Sequence, residues 1–421
     1  MTKRSTLDLL EPAAGNGLLH RRLFLTGSAA VAGLTFMTAR AAPPEVPAWM
    51  KTPGTPMRAY GERSAHEARV QRTVGSTPGA AGTGASRTPL ESLEGIITPS
   101  ALHFERHHNG VPNIDPAQHQ VLIHGLVDRP LIFSMDALAR YPLVSRLQFL
   151  ECSGNSGANN NAEAPQQTAG GIHGLVSCSD WTGVPLAVLL EEAGVQREGR
   201  WLLAEGADAA AMSRSVPMAK AMDDAILALY QNGERLRPEQ GYPVRLFLPG
   251  YEGNMSVKWL RRIKVTAEPT MTKDETSKYS DLQPNGRSLL FTFPMEVKSV
   301  ITSPSGMQTM QGPGLYQLSG LAWSGFGRIR RVEVSADGGE SWAEAALDGP
   351  VLPRCATRFR LPWRWDGSPS VLMSRAVDET GAVQPTRAAL MTARGAQFRY
   401  HYNAIQSWNV AAGGAVSNVY A

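Results

Sequence analysis

The hydrophobic pattern of this chain changes character near Ser288, and that change limits the fold more than any other feature. Upstream, strand-like and helix-like runs are intermixed, which is typical of an α+β domain. Downstream, residues 331–335 alternate polar and apolar side chains, and Asp337-Gly338-Gly339 follows as a tight turn. Further short strands separated by Pro, Gly and Asp indicate a β-sandwich of immunoglobulin type. At 421 residues the chain is too long for one typical core, so we expect two domains.

Local signals place individual elements in these domains. Ser134 is a suitable N-cap for a short helix. Pro185 and Gly194 mark the start and the end of a second helix, and a third helix is expected over residues 218–230. Strands are expected at residues 120–125, 146–150, 242–248 and 263–267 in the first domain, and at residues 331–335, 357–361 and 371–377 in the second.

Residues 42–94 are rich in Pro, Gly, Ser, Thr and Ala and show little apolar periodicity. This composition predicts a flexible arm or linker whose simplest role is tethering. We therefore divide the chain into a leader over residues 1–41, the arm, an α+β domain over residues 95–270 and a β-sandwich over residues 271–421.

The leader has the features of a targeting segment. The pair Arg21-Arg22 precedes a modestly apolar run to about Met37, and Ala39-Arg40-Ala41 gives the small-x-small pattern of a cleavage site. These features predict export of the folded protein to the periplasm by the twin-arginine pathway. The alternative is a short hydrophobic anchor, but the run is shorter than the roughly 20 residues that span a bilayer, so no membrane span is expected.

Charge and cysteine content narrow the possible partners. The net charge is +4, and the leader accounts for +3 of it, with five basic against two acidic residues. No basic cluster marks a phosphate-tracking surface, so nucleic acid is not an expected partner. The three cysteines are Cys152, Cys178 and Cys355. A Cys178–Cys355 disulfide is possible, although nothing in the sequence favours it, and no C-x-x-C-H motif for c-type haem is present.

Cys152 is the first candidate for chemistry. It follows a predicted strand and opens the segment Cys152-Ser153-Gly154-Asn155, which is made of small, turn-forming residues. Backbone N–H groups in such a turn lower the pKa of a thiol, and a soft thiolate suits a heavy transition metal. The alternative is an inert, buried cysteine.

Three histidines lie close together at His103, His107 and His108. Zinc is one interpretation, but no nearby Cys or carboxylate pair completes a set of four ligands. A solvated loop and a contact with an anion or cofactor are the alternatives.

Two further segments, residues 235–245 and 249–259, combine Lys and Arg with glycines and could bind a phosphate. Their alternative is a surface loop that pairs with Glu239 and Glu252.

Taken together, these segments resemble the sulfite oxidase superfamily of molybdopterin enzymes, and within it the molybdenum subunits of sulfane dehydrogenases. The resemblance covers roughly residues 94–421. It rests on F-x-R-x-H at 104–108, E-C-x-G-N at 151–155, H-G-L-V-S at 173–177, E-G-A-D at 205–208, N-G-E-x-L-R-P-E-Q-G-Y-P-V-R at 232–245, P-G-Y-E-G-N-M-S-V-K-W at 249–259, S-A-D-G-G-E-S-W-A-E-A at 335–345 and R-F-R-L-P-W-R-W-D-G at 358–367.

The resemblance implies a sulfite-oxidase-like molybdopterin domain over residues 95–270, an immunoglobulin-like β-sandwich that forms a homodimer, and one molybdenum–molybdopterin cofactor per chain. Cys152 would be the single protein ligand of the metal, and Tyr279 would lie beside it. Arg106 and Arg394 would attract an anionic substrate. The implied cofactor-binding residues are Phe104, Arg106, His107, His108, Cys152, Asp208, Gln240, Arg245, Ser256, Val257 and Lys258.

Three positions depart from the pattern of sulfite oxidases. His107 stands where Asn is usual, no arginine follows Asn155 closely, and Gln240 replaces the His of animal enzymes. Fewer arginines should weaken the binding of free sulfite, which favours a larger, protein-bound sulfur substrate.

The resemblance therefore implies oxygen-atom transfer to the sulfane sulfur of a carrier protein, with electrons passing to a separate c-type cytochrome subunit in a heterotetramer. A periplasmic sulfite dehydrogenase and a non-catalytic subunit of a sulfur-oxidising assembly are the alternatives.

Overall fold

The computed structural model describes residues 12–21, 45–395 and 397–421. Within those ranges, none of the helices combines the length and the apolar character needed to cross a membrane.

The strands and helices of the first part of the chain are as follows. Their bounds are β1 Pro12–Ala14, β2 Leu18–Leu19, β3 Thr73–Ser76, β4 Gly84–Arg87, β5 Glu105–His107, β6 Gln120–Gly125, β7 Leu131–Ser134, α1 Met135–Leu138, β8 Val144–Glu151, α2 Ala169–His173, β9 Val176–Pro185, α3 Leu186–Ala193, β10 Trp201–Gly206, β11 Ser213–Pro217, α4 Met218–Asp223, β12 Ile226–Gln231, β13 Glu234–Arg235, β14 Arg245–Phe247, β15 Leu260–Thr266, α5 Lys273–Thr276, β16 Asp281–Leu282 and β17 Ser288–Leu289. Short 3₁₀ helices lie at Ala48–Met50, Ala65–Glu67, Leu90–Ser92, Ser100–Leu102, Gly157–Asn160, Pro238–Gln240 and Gly253–Met255.

Two five-stranded sheets form most of the first domain. One has the strand order β11-β10-β15-β6-β7, in which β15 and β6 are parallel and the other neighbours are antiparallel. The other has the order β13-β12-β9-β8, with β14 also paired to β12. Helix α3 covers the core with Leu186, Leu189, Leu190 and Ala193, a spacing that places all four on one face. The mixture of sheets and short helices confirms the predicted α+β class.

The prediction of a helix over residues 218–230 is wrong in its second half. Helix α4 ends at Asp223, and Ile226–Gln231 forms β12, which lies between β9 and its other partners β13 and β14. The run Ile226-Leu227-Ala228-Leu229 is almost entirely buried. Because a strand covered on both faces is continuously apolar, its pattern cannot be distinguished from that of a buried helix by periodicity.

Other local predictions are confirmed. The Ser134 side chain accepts a hydrogen bond from the Ala137 N–H and caps α1. Helix α3 follows Pro185 and ends at Gly194, whose φ of 71° is left-handed. The predicted strands at 120–125, 146–150 and 263–267 correspond to β6, β8 and β15.

The arm over residues 42–94 contains more structure than its composition predicts. Strands β3 and β4 pair with each other, and β4 pairs with β5, which leads into the site described below. Ser86 and Thr88 are buried there. Backbone pairing needs no apolar side chains, which is why the polar composition concealed these strands.

The second domain is the β-sandwich predicted from the alternating pattern. Its elements are β18 Lys298–Ser303, β19 Gly314–Trp323, β20 Ile329–Ser335, β21 Ala343–Glu344, β22 Ala346–Leu347, β23 Thr357–Trp365, β24 Ser370–Asp378, α6 Arg387–Arg394, β25 Ser407–Val410 and β26 Val416–Val419. Its sheets have the orders β1-β2-β23-β19-β18, with β22 on β23, and β21-β20-β24-β25-β26. The core between the sheets contains Trp323, Phe359, Trp363 and Trp408.

The two domains share one apolar core. Phe149, Ile172 and Val176 of the first domain belong to the same buried cluster as the sandwich tryptophans. Cys178 and Cys355 meet across this boundary with their sulfur atoms 3.6 Å apart, and both are free thiols. Because buried side chains of both domains belong to one cluster, we expect the sandwich to influence the first domain directly.

A short N-terminal hairpin lies against the sandwich. Leu18 is fully buried and pairs with Trp363, whose indole N–H donates to the Asn16 carbonyl over 2.7 Å. Arg21 pairs with Glu344 on the sandwich surface. Arg22 and the rest of the predicted twin-arginine signal lie outside the described residues.

Candidate active site

Cys152 directly follows β8, whose last three residues are buried. The Cys152 N–H donates to the Leu175 carbonyl over 2.9 Å, and the Cys152 carbonyl accepts from the Asn155 N–H over 2.9 Å. Burial raises the pKa of the Cys152 thiol, while hydrogen bonding from the Gly154 backbone and the charge of Arg106 act in the opposite direction. A bound cation would therefore be needed to hold this sulfur as a thiolate.

Cys152 lines a cleft of the first domain. Its walls come from the loop before β5, the end of β8, the segment around β14 and the loop after α5. The lining residues are Phe104, Glu105, Arg106, His107, His108, Leu150, Cys152, Asp208, Met212, Gln240, Arg245, Gly253, Asn254, Ser256, Val257, Lys258, Trp259 and Tyr279.

One wall is organised by Lys258. Its ammonium donates to His107 Nδ1 over 2.8 Å and to the Arg106 and Glu239 carbonyls over 3.2 Å each. Because His107 Nδ1 accepts, the proton of the neutral ring lies on Nε2, which donates to the Glu105 carboxylate over 2.8 Å. Burial, with a further contribution from Arg245, lowers the pKa of Lys258 well below its ordinary value.

Arg245 lines the same cleft and is also held by hydrogen bonds. Its guanidinium donates to the Gln240 carbonyl over 3.0 Å and to the Ser256 carbonyl over 2.8 Å, and the Gln240 amide donates to the Phe104 carbonyl over 2.9 Å. Burial lowers the pKa of Arg245 to about 9, so the group remains charged at neutral pH. These bonds fix a buried cation against the cleft.

Tyr279 also lines the cleft. Its backbone has a φ of 51°, and its ring lies 4.7 Å from the Arg214 guanidinium. His108 Nε2 lies 3.1 Å from the Tyr279 hydroxyl, and Lys278 Nζ lies 3.4 Å from His108 Nδ1. Burial, reinforced by the charge of Arg106, lowers the pKa of His108 to about 4. The neutral ring that accepts from Lys278 can therefore donate to the Tyr279 oxygen, which leaves the phenolic proton available to the cleft.

The structure brings together twelve of the site residues predicted from the sequence and leaves one apart. All of the predicted cofactor contacts, including Asp208 and Val257, line the cleft together with Cys152 and Tyr279. Arg394 does not line it. Its guanidinium pairs with Glu296, donates to the Tyr400 carbonyl over 3.3 Å and lies over the Phe398 ring. The predicted anion contact of Arg394 is therefore not supported by its position.

Several lining residues were missed by the sequence analysis. Trp259 stacks on His107 with ring centroids 5.8 Å apart, and Asn254 donates to Ser153 Oγ over 3.0 Å. Asn254 and Trp259 lie in the segment 249–259, close in sequence to the predicted cofactor-binding residues Ser256, Val257 and Lys258. That closeness in sequence could have identified them. Glu105, Leu150, Met212 and Gly253 complete the missed set.

The zinc interpretation of the histidines is not supported. His103 is buried and stacks on Phe104, while His107 and His108 contact Glu105 and Tyr279 respectively. No group of three His, Cys, Asp or Glu side chains arranged to hold a metal occurs in the described part of the chain.

The cleft fits an anionic cofactor that carries a soft metal. Arg245 Nε is buried without a hydrogen-bond partner among the described residues, so an anion would satisfy it. Arg106, Arg245 and Lys258 all face the same space, as phosphate binding requires. Cys152 lines the same cleft and could provide a soft sulfur ligand to the metal of such a cofactor.

Comparisons with known proteins agree with this geometry. Residues 108–273 match the family described as "Oxidoreductase molybdopterin binding domain", and residues 290–407 match "Mo-co oxidoreductase dimerisation domain". The crystal structure of the sulfane dehydrogenase SoxCD from Paracoccus pantotrophus matches with a TM-score of 0.87 and 45% identity, covering 90% of this chain and 99% of that chain.

Two groups of curated proteins are also similar. Mitochondrial sulfite oxidase from Rattus norvegicus is 32% identical over 327 residues, which is 72% of this chain and 60% of that protein. NADH nitrate reductase from Solanum lycopersicum is 34% identical over 350 residues, which is 72% of this chain and 38% of that protein. The chain thus spans less than two thirds of either relative.

The matched domain implies that the cofactor of the cleft is molybdenum–molybdopterin. By its two domains, its cleft and its sequence, the chain belongs to the sulfite oxidase superfamily of molybdenum-cofactor oxidoreductases.

Proposed function

We propose that this protein oxidises sulfane sulfur held on a carrier protein and passes the electrons to a c-type cytochrome subunit. The observation that carries the proposal is the meeting of Cys152, Arg106 and Tyr279 in one cleft of a chain that is 45% identical to a sulfane dehydrogenase. That level of identity extends over nearly the whole of the matched chain, which favours a shared substrate class.

The cofactor would be held by a metal ligand and by two cationic side chains that line the same cleft. Cys152 would ligate the metal, and Arg245 and Lys258 would bind the negatively charged part of the pterin. When bound, the molybdenum centre supplies two-electron oxygen-atom transfer. The contribution of the protein is a fixed set of charges and donors that do not need to reorganise during turnover.

Arg106 and Tyr279 would act on the substrate. The Arg106 side chain donates to the His107 carbonyl and lies 3.4 Å from the Gly84 carbonyl, so the arm strand β4 holds it at the cleft. Its charge would attract an anionic sulfur group. Tyr279, with its hydroxyl oxygen held by His108, would direct a proton toward that group.

The substrate class is tested by comparing turnover of the purified enzyme on sulfite and on carrier-bound sulfane sulfur. We expect much faster oxidation of the carrier-bound substrate. The sequence likeness to mitochondrial sulfite oxidases makes sulfite the specific competitor. Faster oxidation of sulfite would replace the proposal with a sulfite dehydrogenase, and purified protein without molybdenum would indicate a non-catalytic subunit.

Cys152→Ser tests the metal ligand. We expect a folded protein that retains pterin and loses almost all activity, because one soft ligand is replaced without opening a large cavity. Metal and pterin content are measured alongside turnover. Cys355→Ser, which changes a buried cysteine in the shared core, is the matched control. Near wild-type oxidation of any sulfur substrate by Cys152→Ser would refute the assignment.

A dedicated electron acceptor follows from the three cysteines and the missing C-x-x-C-H motif, which provide no haem or iron–sulfur cluster in this sequence. We expect the cofactor-loaded chain alone to reduce an artificial dye and to reduce a generic cytochrome slowly until its partner is added. Fast, unaided reduction of unrelated cytochromes would contradict the need for a partner.

Export by the twin-arginine pathway to the periplasm is the location that fits this function. The support is the pair Arg21-Arg22 and the cleavage pattern at residues 39–41. Replacing both arginines with lysine should retain the protein in the cytoplasm, as measured by fractionation. Unchanged periplasmic activity would show that another route is used.

A further inference from the structure

The side chain of Glu151, next to the proposed metal ligand, is held by the sandwich domain. Glu151 is 1% exposed. One carboxylate oxygen accepts from Lys298 Nζ over 3.1 Å and from the Asn155 amide over 2.9 Å, and the other accepts from the Trp323 indole N–H over 2.6 Å. Lys298 and Trp323 belong to β18 and β19, so two of the three donors come from the second domain.

Lys298 makes a second contact with the same loop. Its ammonium donates to Ser156 Oγ over 2.6 Å, and Ser156 Oγ lies 2.6 Å from His173 Nδ1. Lys298 is also 1% exposed. A buried ammonium costs considerable desolvation free energy unless it is paired, and here its partners are Glu151 and the loop. The Lys298 ammonium therefore pairs with the segment that carries Cys152.

The bonds around Glu151 continue to Cys152 itself. Asn155, held by Glu151, also accepts from the Leu175 N–H over 3.1 Å through its side-chain oxygen. The Leu175 carbonyl in turn accepts from the Cys152 N–H. The backbone on both sides of the thiol is thus fixed by one connected set of buried hydrogen bonds, and such sets are strong only when every member is satisfied.

We infer that Lys298 and Trp323 are positioning residues for the molybdenum ligand, so that the sandwich is part of the cofactor site as well as a dimerisation module. The inference rests on the proposed role of Cys152. Groups that orient a metal ligand from behind commonly change metal affinity or activity by 10–100-fold when they are removed. The sandwich contributes two such groups here through Glu151.

The test is Trp323→Phe in the full-length holoenzyme. This change removes one indole donor from Glu151 and keeps most of the ring. Trp408→Phe is the matched control, because Trp408 is a fully buried sandwich tryptophan whose indole donates over 3.0 Å to the Ile301 carbonyl, away from Glu151. The readouts are the rate at which molybdenum is lost on dialysis, the visible absorption of the metal–thiolate centre, and Tm.

We expect both variants to lower Tm comparably, and only Trp323→Phe to accelerate molybdenum loss by 10–100-fold and to shift the metal–thiolate absorption. Equal metal loss in the two variants would show a merely structural role and overturn the inference. Wild-type retention and absorption in Trp323→Phe would overturn it as well.

A second variant keeps the test decisive if Trp323→Phe does not fold. Glu151→Gln keeps the shape of the side chain and removes the charge that pairs with Lys298. We expect the same faster metal loss, and metal retention equal to that of wild type would refute the inference. Cys152→Ser separates this result from failure of the proposed ligand, because wild-type metal affinity in that variant would refute the ligand and leave the sandwich contacts without a role.

Discussion

His401 is a buried cation between two carboxylates, and replacing it should produce a pH-dependent loss of stability. His401 Nδ1 lies 2.8 Å from Glu296, and Nε2 lies 3.6 Å from Glu252. Burial alone would lower the pKa of His401, but Glu296 and Glu252 outweigh it and raise the pKa to about 10. His401 also has a φ of 60°. Asn tolerates this left-handed backbone, so His401→Asn removes the charge without adding backbone strain.

The magnitude follows from the proton affinity. A tenfold change in proton affinity corresponds to about 1.4 kcal/mol, so a rise of the pKa from 6.5 to about 10 limits the contribution to roughly 5 kcal/mol. At pH 7 about 4 kcal/mol of it should remain, in the range of 3–5 kcal/mol typical of a broken buried ion pair. Because the pKa is raised on folding, the contribution is complete below pH 6.5 and disappears as the pH rises to about 10.

The assay is urea denaturation of wild type and His401→Asn between pH 6 and pH 10. We expect a difference in unfolding free energy of about 4 kcal/mol at pH 7 that shrinks steadily toward pH 10. His119→Asn is the control, because His119 donates to the Leu260 carbonyl over 2.9 Å and burial lowers its pKa, which leaves it neutral. A difference for His401→Asn that is constant with pH, or below about 1 kcal/mol at pH 7, would refute the reasoning.

Two further substitutions test the site and the core. Tyr279→Phe should lower turnover by about 10²–10⁴-fold with little change in Tm, since it removes a positioned proton donor; steady-state kinetics showing less than about a threefold effect would assign Tyr279 a packing role. Leu189→Ala should lower the unfolding free energy by about 2–5 kcal/mol in urea denaturation, because Leu189 is fully buried on the inner face of α3; a loss below about 1 kcal/mol would show that this core relaxes around the cavity.

The fold could be predicted where local pattern and tertiary environment agree. The alternation at residues 331–335 reflects a sandwich strand with one buried face, so it identified β20 correctly. The run at residues 226–229 was assigned to a helix because burial on both faces removes the alternation that identifies a strand. Strands β3 and β4 were not predicted, because they are held by backbone pairing of β3 with β4 and of β4 with β5, which leaves no apolar pattern in the sequence.

The site could be predicted to the extent that its residues lie in contiguous motifs. Cys152 and Lys258 stand in segments that resemble family motifs, and Tyr279 follows Trp259 of one such segment by 20 residues. All three line the cleft. Arg394 lies outside those motifs, and its guanidinium pairs with Glu296 and does not line the cleft. The contact of Trp323 with Glu151 joins residues 172 positions apart, and no local pattern reveals such a pair.

The same separation determines when the cleft can exist during synthesis. His108 meets Tyr279 across 171 positions, and Glu151 meets Lys298 across 147. Contacts this distant in sequence form late, because the chain must close large loops first. During synthesis the N-terminal half leaves the ribosome before the later residues have been added. The emerging first domain therefore lacks Tyr279 and the two donors to Glu151 from the sandwich, Lys298 and Trp323. We therefore expect the cofactor to be loaded after chain release, when the sandwich has folded onto the first domain.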